Sequence, residues 1–134
     1  MEKHKIQIER ELHCRSSNII WSLLSTAEGL EKWLADSVQR NGKVLSFRWG
    51  ELWQSHEVRT ATIIKEAKDK YIRFRWDEDA DEGADVYCEF KIEKSDITND
   101  YILTITDYAD EDDVDTITDL WENNLEQLHR STGL

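Results

Sequence analysis

The 134-residue sequence contains no proline, only five glycines and two cysteines. Without proline, its turns must rely on Gly, Asn and Asp. No apolar run approaches the roughly 18 residues of a membrane-spanning helix, so we expect no membrane insertion. No apolar N-terminal stretch resembles a signal peptide, and Cys14 and Cys88 are therefore expected to be reduced thiols in a cytoplasmic protein.

Basic residues are outnumbered by acidic ones. The chain has 17 Lys and Arg against 29 Asp and Glu, giving a net charge of −12. Nucleic acids and anionic membranes are recognised by clustered Lys and Arg, so neither is an expected partner. The charge is explained by solubility, and the alternative is attraction of a basic protein partner.

Apolar residues make up 39% of the chain, and their spacing predicts its secondary structure. Residues 5–13 alternate as a half-buried strand. Two short helices should follow, the first capped by Ser16 or Ser17 and the second by a capping box at residues 25–28, ending near Leu34. The Asn41-Gly42 pair is expected to separate these helices from the main sheet.

From Lys43 onward the apolar period is two, which predicts five consecutive strands. Within each strand, alternate residues share a face: Leu45, Phe47 and Trp49; Val58, Thr60, Thr62 and Ile64; Ile72, Phe74 and Trp76; Val86, Cys88, Phe90 and Ile92; Tyr101, Leu103 and Ile105. A final helix carries an apolar stripe from Val114 to Leu128 and can end at Gly133. The order β-α-α-β-β-β-β-β-α predicts one α+β domain over residues 1–134, with a curved antiparallel sheet of about six strands around a long C-terminal helix.

Five segments carry a family resemblance. Residues 19–34 contain an amphipathic helix, a turn and the step Leu30-x-x-Trp33, and residues 120–128 form the closing helix. Between them lie three strand-like runs, at residues 47–49, 56–60 and 71–76. Together they resemble the activator-of-heat-shock-protein-ATPase homologues (AHSA-like), a branch of the START-like (SRPBCC, helix-grip) superfamily. Two turns depart from that family's pattern: Cys14-Arg15 replaces alanine-proline, and Thr26-Ala27 replaces aspartate-proline.

The resemblance implies a groove between sheet and C-terminal helix that holds a small apolar or amphipathic molecule. Large aromatic side chains would form its walls, although the same side chains suit a solid core equally well. Arg10 shares a strand face with Ile6 and Ile8, and would either orient a polar end of the ligand or pair with an acidic residue at the sheet margin. The predicted ligand-binding residues are Arg10, Trp33, Phe47, Trp49, Phe74, Trp76, Phe90 and Trp121.

The loops at residues 50–54, 77–85 and 107–113 should meet at one end of an antiparallel sheet. In this fold that end commonly carries the cavity mouth. The predicted mouth, which is alternatively a partner contact, consists of Leu52, Trp53, Asp77, Asp79 and Asp81. The spacing of the three aspartates resembles the start of a calcium loop, but Cys88 stands where a bidentate acid is needed, so no metal is predicted.

Three functions therefore remain open. The first is a START-like binding module without a cofactor. The second is a protein-interaction module, similar to a co-chaperone, that uses the acidic end bearing Leu52 and Trp53. The third is a cavity enzyme, which should contain a buried polar group with a strongly shifted pKa inside the groove. No catalytic motif is recognisable in the sequence, so an enzyme is not the expected class.

Overall fold

The computed structural model describes residues 3–51, 53–82 and 86–134. The elements in chain order are β1 (His4–Glu11), α1 (Ser17–Ser25), α2 (Ala27–Glu31), β2 (Ser37–Asn41), β3 (Val44–Trp49), β4 (Glu57–Ala67), β5 (Tyr71–Trp76), β6 (Cys88–Lys94), β7 (Tyr101–Ala109) and α3 (Val114–Thr132). Two 3₁₀ turns, Asp77–Glu82 and Glu111–Asp113, follow β5 and β7.

The seven strands form one antiparallel sheet in the order β1-β7-β6-β5-β4-β3-β2. Strands β2 to β7 are a meander, and β1 returns the start of the chain to the outer side of β7, with Ile8 opposite Ile105. The predicted α+β class is confirmed, as are the curved antiparallel sheet and the C-terminal helix. The strand count differs, since the sheet has seven strands instead of about six.

The additional strand is β2, at the edge of the sheet. The prediction that Asn41-Gly42 separates the helices from the sheet is wrong, because Asn41 pairs with Val44 across a tight hairpin. Gly42 has a φ of +62°, a conformation that glycine adopts without steric penalty. Val38 is the only fully buried side chain of β2, so the strand has too little apolar alternation to be recognised.

Strand β4 packs against the core with the face that has the less apolar sequence pattern. Ala61 and Ile63 are buried, and a bulge at Ile63/Lys65 interrupts the pairing with β5. The residues predicted to share a face do so, but that face points to solvent: Val58, Thr60, Thr62 and Ile64. Arg59 therefore lies on the inner face, beside Ala61.

The two short helices are joined by a close contact. Ser16 Oγ accepts a hydrogen bond from the Ile19 N–H and caps α1, while Thr26 Oγ1 accepts one from the Gly29 N–H and caps α2 over 3.0 Å. The predicted cap at Ser25 is thus displaced by one residue, and α2 ends at Glu31 instead of near Leu34. Gly29 lies so close to α1 that an added Cβ would be 1.9 Å from the Ser22 carbonyl oxygen.

Helix α3 covers the concave face of the sheet and ends at Gly133, whose φ is +77°. It buries Trp121, Leu125 and Leu128 against the core. The sheet contributes the fully buried aromatic side chains of that core: Phe47, Phe74 and Phe90. The space between sheet and helix is therefore filled over most of its length.

Candidate functional site

A cavity of about 460 Å³ remains at one end of the space between sheet and helix. It lies where β3, β5 and β7 end and where β4 begins, so the ends of four strands and the N-terminal half of α3 enclose it. Its apolar wall consists of Leu34, Trp49, Trp76, Ala109, Ile117, Leu120 and Trp121. Three of these seven side chains are indole rings, and the other four are aliphatic.

Three indole rings of the apolar wall are held by specific contacts. Trp49 donates its Nε1–H to the Leu34 carbonyl oxygen over 2.8 Å, and Trp121 donates its Nε1–H to Asp107 Oδ2 over 2.9 Å. The Arg59 guanidinium lies over the Trp76 ring, 3.9 Å from its centroid. Because each ring has a fixed neighbour, the wall is preformed.

The outer side of the cavity is charged. Two basic residues, Lys3 and Arg59, line it, and each is paired with an acid: Lys3 with Asp110 over 3.5 Å, and Arg59 with Glu78. The acidic side chains of the cavity, here called the acidic lining, are Glu57, Glu78, Asp79, Asp107, Asp110 and Asp113. The described part of the lining thus has six acids against two bases, an excess of negative charge.

Asp107 is the innermost member of the acidic lining, because it lies on the same face of β7 as the buried Leu103 and Ile105. Its Oδ1 accepts the Tyr108 backbone N–H over 2.8 Å, and its Oδ2 accepts the Trp121 indole. Burial raises the pKa of Asp107, and these two hydrogen bonds and the charge of Arg59 offset only part of that effect. The cavity thus contains a largely buried carboxyl group whose two hydrogen-bond donors among the described residues are both uncharged.

The predicted aromatic residues divide into two groups. Trp49, Trp76 and Trp121 line the cavity. The other four are buried in the core behind it and pack against one another and against the cavity rings, with centroid separations such as 5.2 Å for Trp33 and Phe90 and 5.3 Å for Phe47 and Trp76. This second group comprises Trp33, Phe47, Phe74 and Phe90.

Arg10 lies away from the cavity. Its guanidinium donates to Glu122 Oε2 over 2.9 Å and lies 3.8 Å from Glu126, with a third of the side chain exposed. The interaction joins β1 to α3 at the sheet margin, which is the second of the two roles considered for this residue. The pairing is partly solvated, so its contribution to stability is small.

The predicted mouth residues are scattered around the cavity end. Asp79 lines the cavity, whereas Asp77 accepts hydrogen bonds from the hydroxyls of Thr60 and Thr62 on the outer face of β4, over 2.5 and 3.0 Å. Trp53 is 79% exposed in the turn between β3 and β4. Leu52 and the side chain of Asp81 lie outside the described residues.

Sequence reasoning missed Arg59 and Asp107, the two polar groups closest to the aromatic wall. The sequence predicts that Asp107 begins a loop, but β7 extends to Ala109 and keeps its alternation. The series Leu103, Ile105, Asp107 and Ala109 is visible in the sequence and would have placed this carboxyl on the inner face. Arg59 gave no comparable signal, because the opposite face of β4 has the more convincing apolar pattern.

A second hollow, of about 490 Å³, lies between α1 and the C-terminal end of α3. Its described lining consists of aliphatic and polar side chains, including Ile19, Leu23 and Lys32. None of these described residues is aromatic, so the hollow has no counterpart of the three indole rings. The cavity with the aromatic wall is the better candidate site.

The described residues contain no group of three or more His, Cys, Asp or Glu arranged to hold a metal ion. Cys14 and Cys88 are free thiols, and burial raises the pKa of Cys88 well above its ordinary value, which makes it a poor nucleophile. Within the same described ranges, no helix is both long and apolar enough to cross a bilayer.

Comparison with known proteins agrees with this architecture. The model of the START-like superfamily domain matches residues 1–134. A Bacteroides fragilis protein, solved by NMR in solution, is 38% identical and has a TM-score of 0.64, over 97% of this chain and 91% of that one. No curated protein matches the chain.

Two more distant structures share the fold. The Aha1 dimer from Colwellia psychrerythraea is 17% identical with a TM-score of 0.72, over 99% of this chain and 98% of that one. The AHSA1-like protein from Aeromonas hydrophila is 11% identical with a TM-score of 0.77, over 97% and 92%. The resemblance to AHSA-like proteins is therefore confirmed at the level of the fold.

Proposed function

This chain belongs to the START-like superfamily, and we propose that it binds a small apolar or amphipathic molecule in the cavity between its sheet and α3. The observation that carries the proposal is the preformed aromatic wall of Trp49, Trp76 and Trp121 around a space of about 460 Å³. Small-molecule sites typically occupy about 300–1,000 Å³, with apolar walls and few polar groups.

The polar side of the cavity supports an amphipathic ligand in particular. An apolar body would be buried against the indole rings, which contributes about 25 cal/mol for each Å² of apolar surface before the cost of ordering the ligand. A polar end would lie at the acidic lining, near solvent. The cavity therefore offers one apolar and one charged half.

Filling the cavity tests the proposal. Ile117 lies on the cavity face of α3 and is partly exposed, so Ile117→Trp places a large ring in the space without removing a core side chain. We expect the affinity for Nile red, a neutral apolar dye, to fall at least about tenfold, measured by fluorescence titration. Thermal unfolding of the variant checks that the fold is retained.

Thr116→Trp is the matched control, because Thr116 is the exposed neighbour of Ile117 on the same helix. It adds the same ring outside the cavity and should leave dye binding unchanged. Trp53→Asp changes the exposed loop instead and should also bind the dye normally. Equal dye affinity in Ile117→Trp and Thr116→Trp would contradict binding in this cavity.

A protein-interaction module is the second candidate, favoured by the exposure of Trp53. A tryptophan that is 79% exposed is unusual on a surface without a partner, and indole rings dominate binding energy in protein interfaces. The Colwellia psychrerythraea relative is a dimer, so a second copy of this chain is one partner to test. Trp53→Asp would weaken such an interaction while leaving the cavity intact.

We infer a cytoplasmic location from the reduced state expected of Cys14 and Cys88, which are free thiols in the structure. Asp107 is a carboxyl of raised pKa inside the groove, whereas a cavity enzyme was expected to contain a strongly shifted group. Burial is the largest cause of the raised pKa and the charge of Asp79 adds to it, while acid–base catalysis needs a second group at a fixed distance. The proposal is accordingly a binding function.

A further inference from the structure

The chemistry of the cavity indicates which class of amphipathic molecule it suits. Among the described residues that line it, eight have charged side chains, of which six are acids and two are bases. Both bases are engaged: Arg59 pairs with Glu78 and stacks on Trp76, and Lys3 pairs with Asp110. An anionic ligand would meet a surplus of carboxylates and would have to displace one of these pairs, so the surplus charge disfavours anions.

Asp107 provides a specific contact point for a positive group. An ionised carboxylate has about four acceptor positions, and its two observed hydrogen bonds, from Trp121 and from the Tyr108 backbone, occupy two of them. The remaining positions have no hydrogen-bond donor from the described residues. Because burial raises the pKa of Asp107 despite those bonds, the carboxylate would be stabilised by an additional cation.

The position of Asp107 relative to the aromatic wall fixes the shape of the expected ligand. Asp107 accepts a hydrogen bond from the indole N–H of Trp121. A positive group of the ligand at this carboxylate would therefore leave the rest of the ligand beside the indole rings. Faces of tryptophan rings also attract cations, which adds to the preference. An ammonium group joined to a compact apolar body satisfies both halves of the cavity.

We propose that the cavity recognises a primary amine with an apolar body, whose ammonium group hydrogen-bonds to Asp107 and whose apolar part packs against Trp49, Trp76 and Trp121. This inference rests on the proposed function, because it assumes that the cavity is a ligand site. It adds the charge of the ligand and the residue that selects it.

A series of three probes with the same phenyl ring and a similar chain tests the inference: 4-phenylbutylamine, 4-phenylbutan-1-ol and 4-phenylbutyrate. Each competes with Nile red for the cavity of the intact protein at pH 7. Hydrogen bonds to charged groups are the stronger kind, so we expect the amine to bind at least about tenfold more tightly than the alcohol. The carboxylate should bind most weakly.

Asp107→Asn should bring the ratio of amine to alcohol affinity down to about one, because the amide carries no charge. The amide can accept only one of the two hydrogen bonds from Trp121 and the Tyr108 backbone, so thermal unfolding checks that the variant is folded. Asp119→Asn is the matched control: it changes charge equally at an exposed position of α3 outside the cavity and should keep the preference. Should Asp107→Asn fail to fold, salt provides the second readout. The advantage of the amine over the alcohol should shrink as salt rises to about 0.5 M.

The outcomes separate the two proposals. If Nile red binds and the alcohol or the carboxylate matches the amine, the preference for amines is wrong and the cavity remains a binding site. A preference for the amine that persists in Asp107→Asn would overturn the role of Asp107. If the folded wild-type protein binds neither the dye nor any of the probes, both proposals fail.

Discussion

At the scale of single residues, the contact between Asp107 and Trp121 connects the stability of the protein with the chemistry of its cavity. The indole N–H of Trp121 needs an acceptor in a largely buried position, and Asp107 provides it. In return, the carboxylate is withdrawn from water and its pKa rises because of that burial. The group that we propose binds the ligand therefore destabilises the folded state when it is ionised.

This linkage predicts a pH-dependent difference between wild type and Asp107→Asn. The pKa of Asp107 is raised above its ordinary value of 3.8, so the folded protein retains this proton to a higher pH than the unfolded chain does. As pH rises from about 4 through the folded-state pKa, the wild type should lose stability relative to the variant, whose amide does not titrate.

Urea unfolding across that pH range measures the difference in free energy of unfolding, and each tenfold change in proton affinity corresponds to about 1.4 kcal/mol. The charges of Arg59 and Asp79 act on the ionised carboxylate of Asp107, the first lowering and the second raising its pKa, so their effects are part of the measured difference between wild type and variant. A difference that stays constant with pH would contradict the raised pKa. A difference that changes in the opposite direction would indicate a stabilised carboxylate.

At the scale of secondary-structure elements, apolar periodicity located six of the seven strands and α3. It failed where an element contributes little to the core. The edge strand β2 buries only Val38, and its neighbour on one side is solvent, so its sequence is not constrained to alternate. Strand β4 is hydrogen-bonded to a strand on each side, so its place in the sheet does not depend on a strongly apolar core face. Ala61 is buried on that face despite its small side chain.

The end of β7 matters most for the site. The strand continues three residues beyond Thr106, and this extension carries Asp107 into the cavity. An acidic residue next to further acids looks like a loop in the sequence, because strands are poor in Asp. The pairing with β1, with Asp107 opposite Ile6, stabilises the strand conformation despite that poor propensity.

The junction of α1 and α2 gives a prediction at the element scale. A methyl group at Gly29 would lie 1.9 Å from the Ser22 carbonyl oxygen and 2.6 Å from the Leu23 Cα, both backbone atoms that cannot move independently. Gly29→Ala should therefore lower the free energy of unfolding by at least about 3 kcal/mol, by forcing the two helices apart. Urea unfolding measures the loss.

Gly42→Ala separates this steric effect from the general effect of replacing glycine. Gly42 has no atom within 4 Å of an added Cβ, but its φ is +62°. The variant should lose only about 1 kcal/mol, from the left-handed conformation alone. If both variants were equally stable, the contact at Gly29 would not be a tight one.

At the scale of the whole molecule, the sequence predicted the fold well because the order of the elements and their apolar faces leaves few alternatives. It did not predict which part of the space between sheet and helix is open. Trp33 and Trp49 look equivalent in the sequence, yet one is buried in the core and the other faces the cavity. That distinction depends on the detailed packing of the side chains, which the spacing of apolar residues in the sequence does not reveal.

The net charge has a local counterpart in the structure. The net charge of the chain is −12. Among the described residues that line the cavity, the acidic side chains outnumber the two basic ones. Solubility is a sufficient explanation of the overall negative charge. The acidic side chains beside the aromatic wall also suit the recognition of a cationic ligand that we propose. The whole-molecule field would attract a cationic ligand toward the same end, and salt would weaken that attraction.

The central claim, that the cavity binds a small molecule, is tested most directly by the indole N–H signals of the protein in a two-dimensional ¹H–¹⁵N NMR titration. The six tryptophans give six reporters at different places in the fold, assigned by single Trp→Phe variants. Neutral 4-phenylbutan-1-ol should shift the signals of Trp49, Trp76 and Trp121, which line the cavity, and leave that of Trp21 unchanged. Shifts at Trp21 or Trp53 with the three cavity signals unmoved would contradict the account.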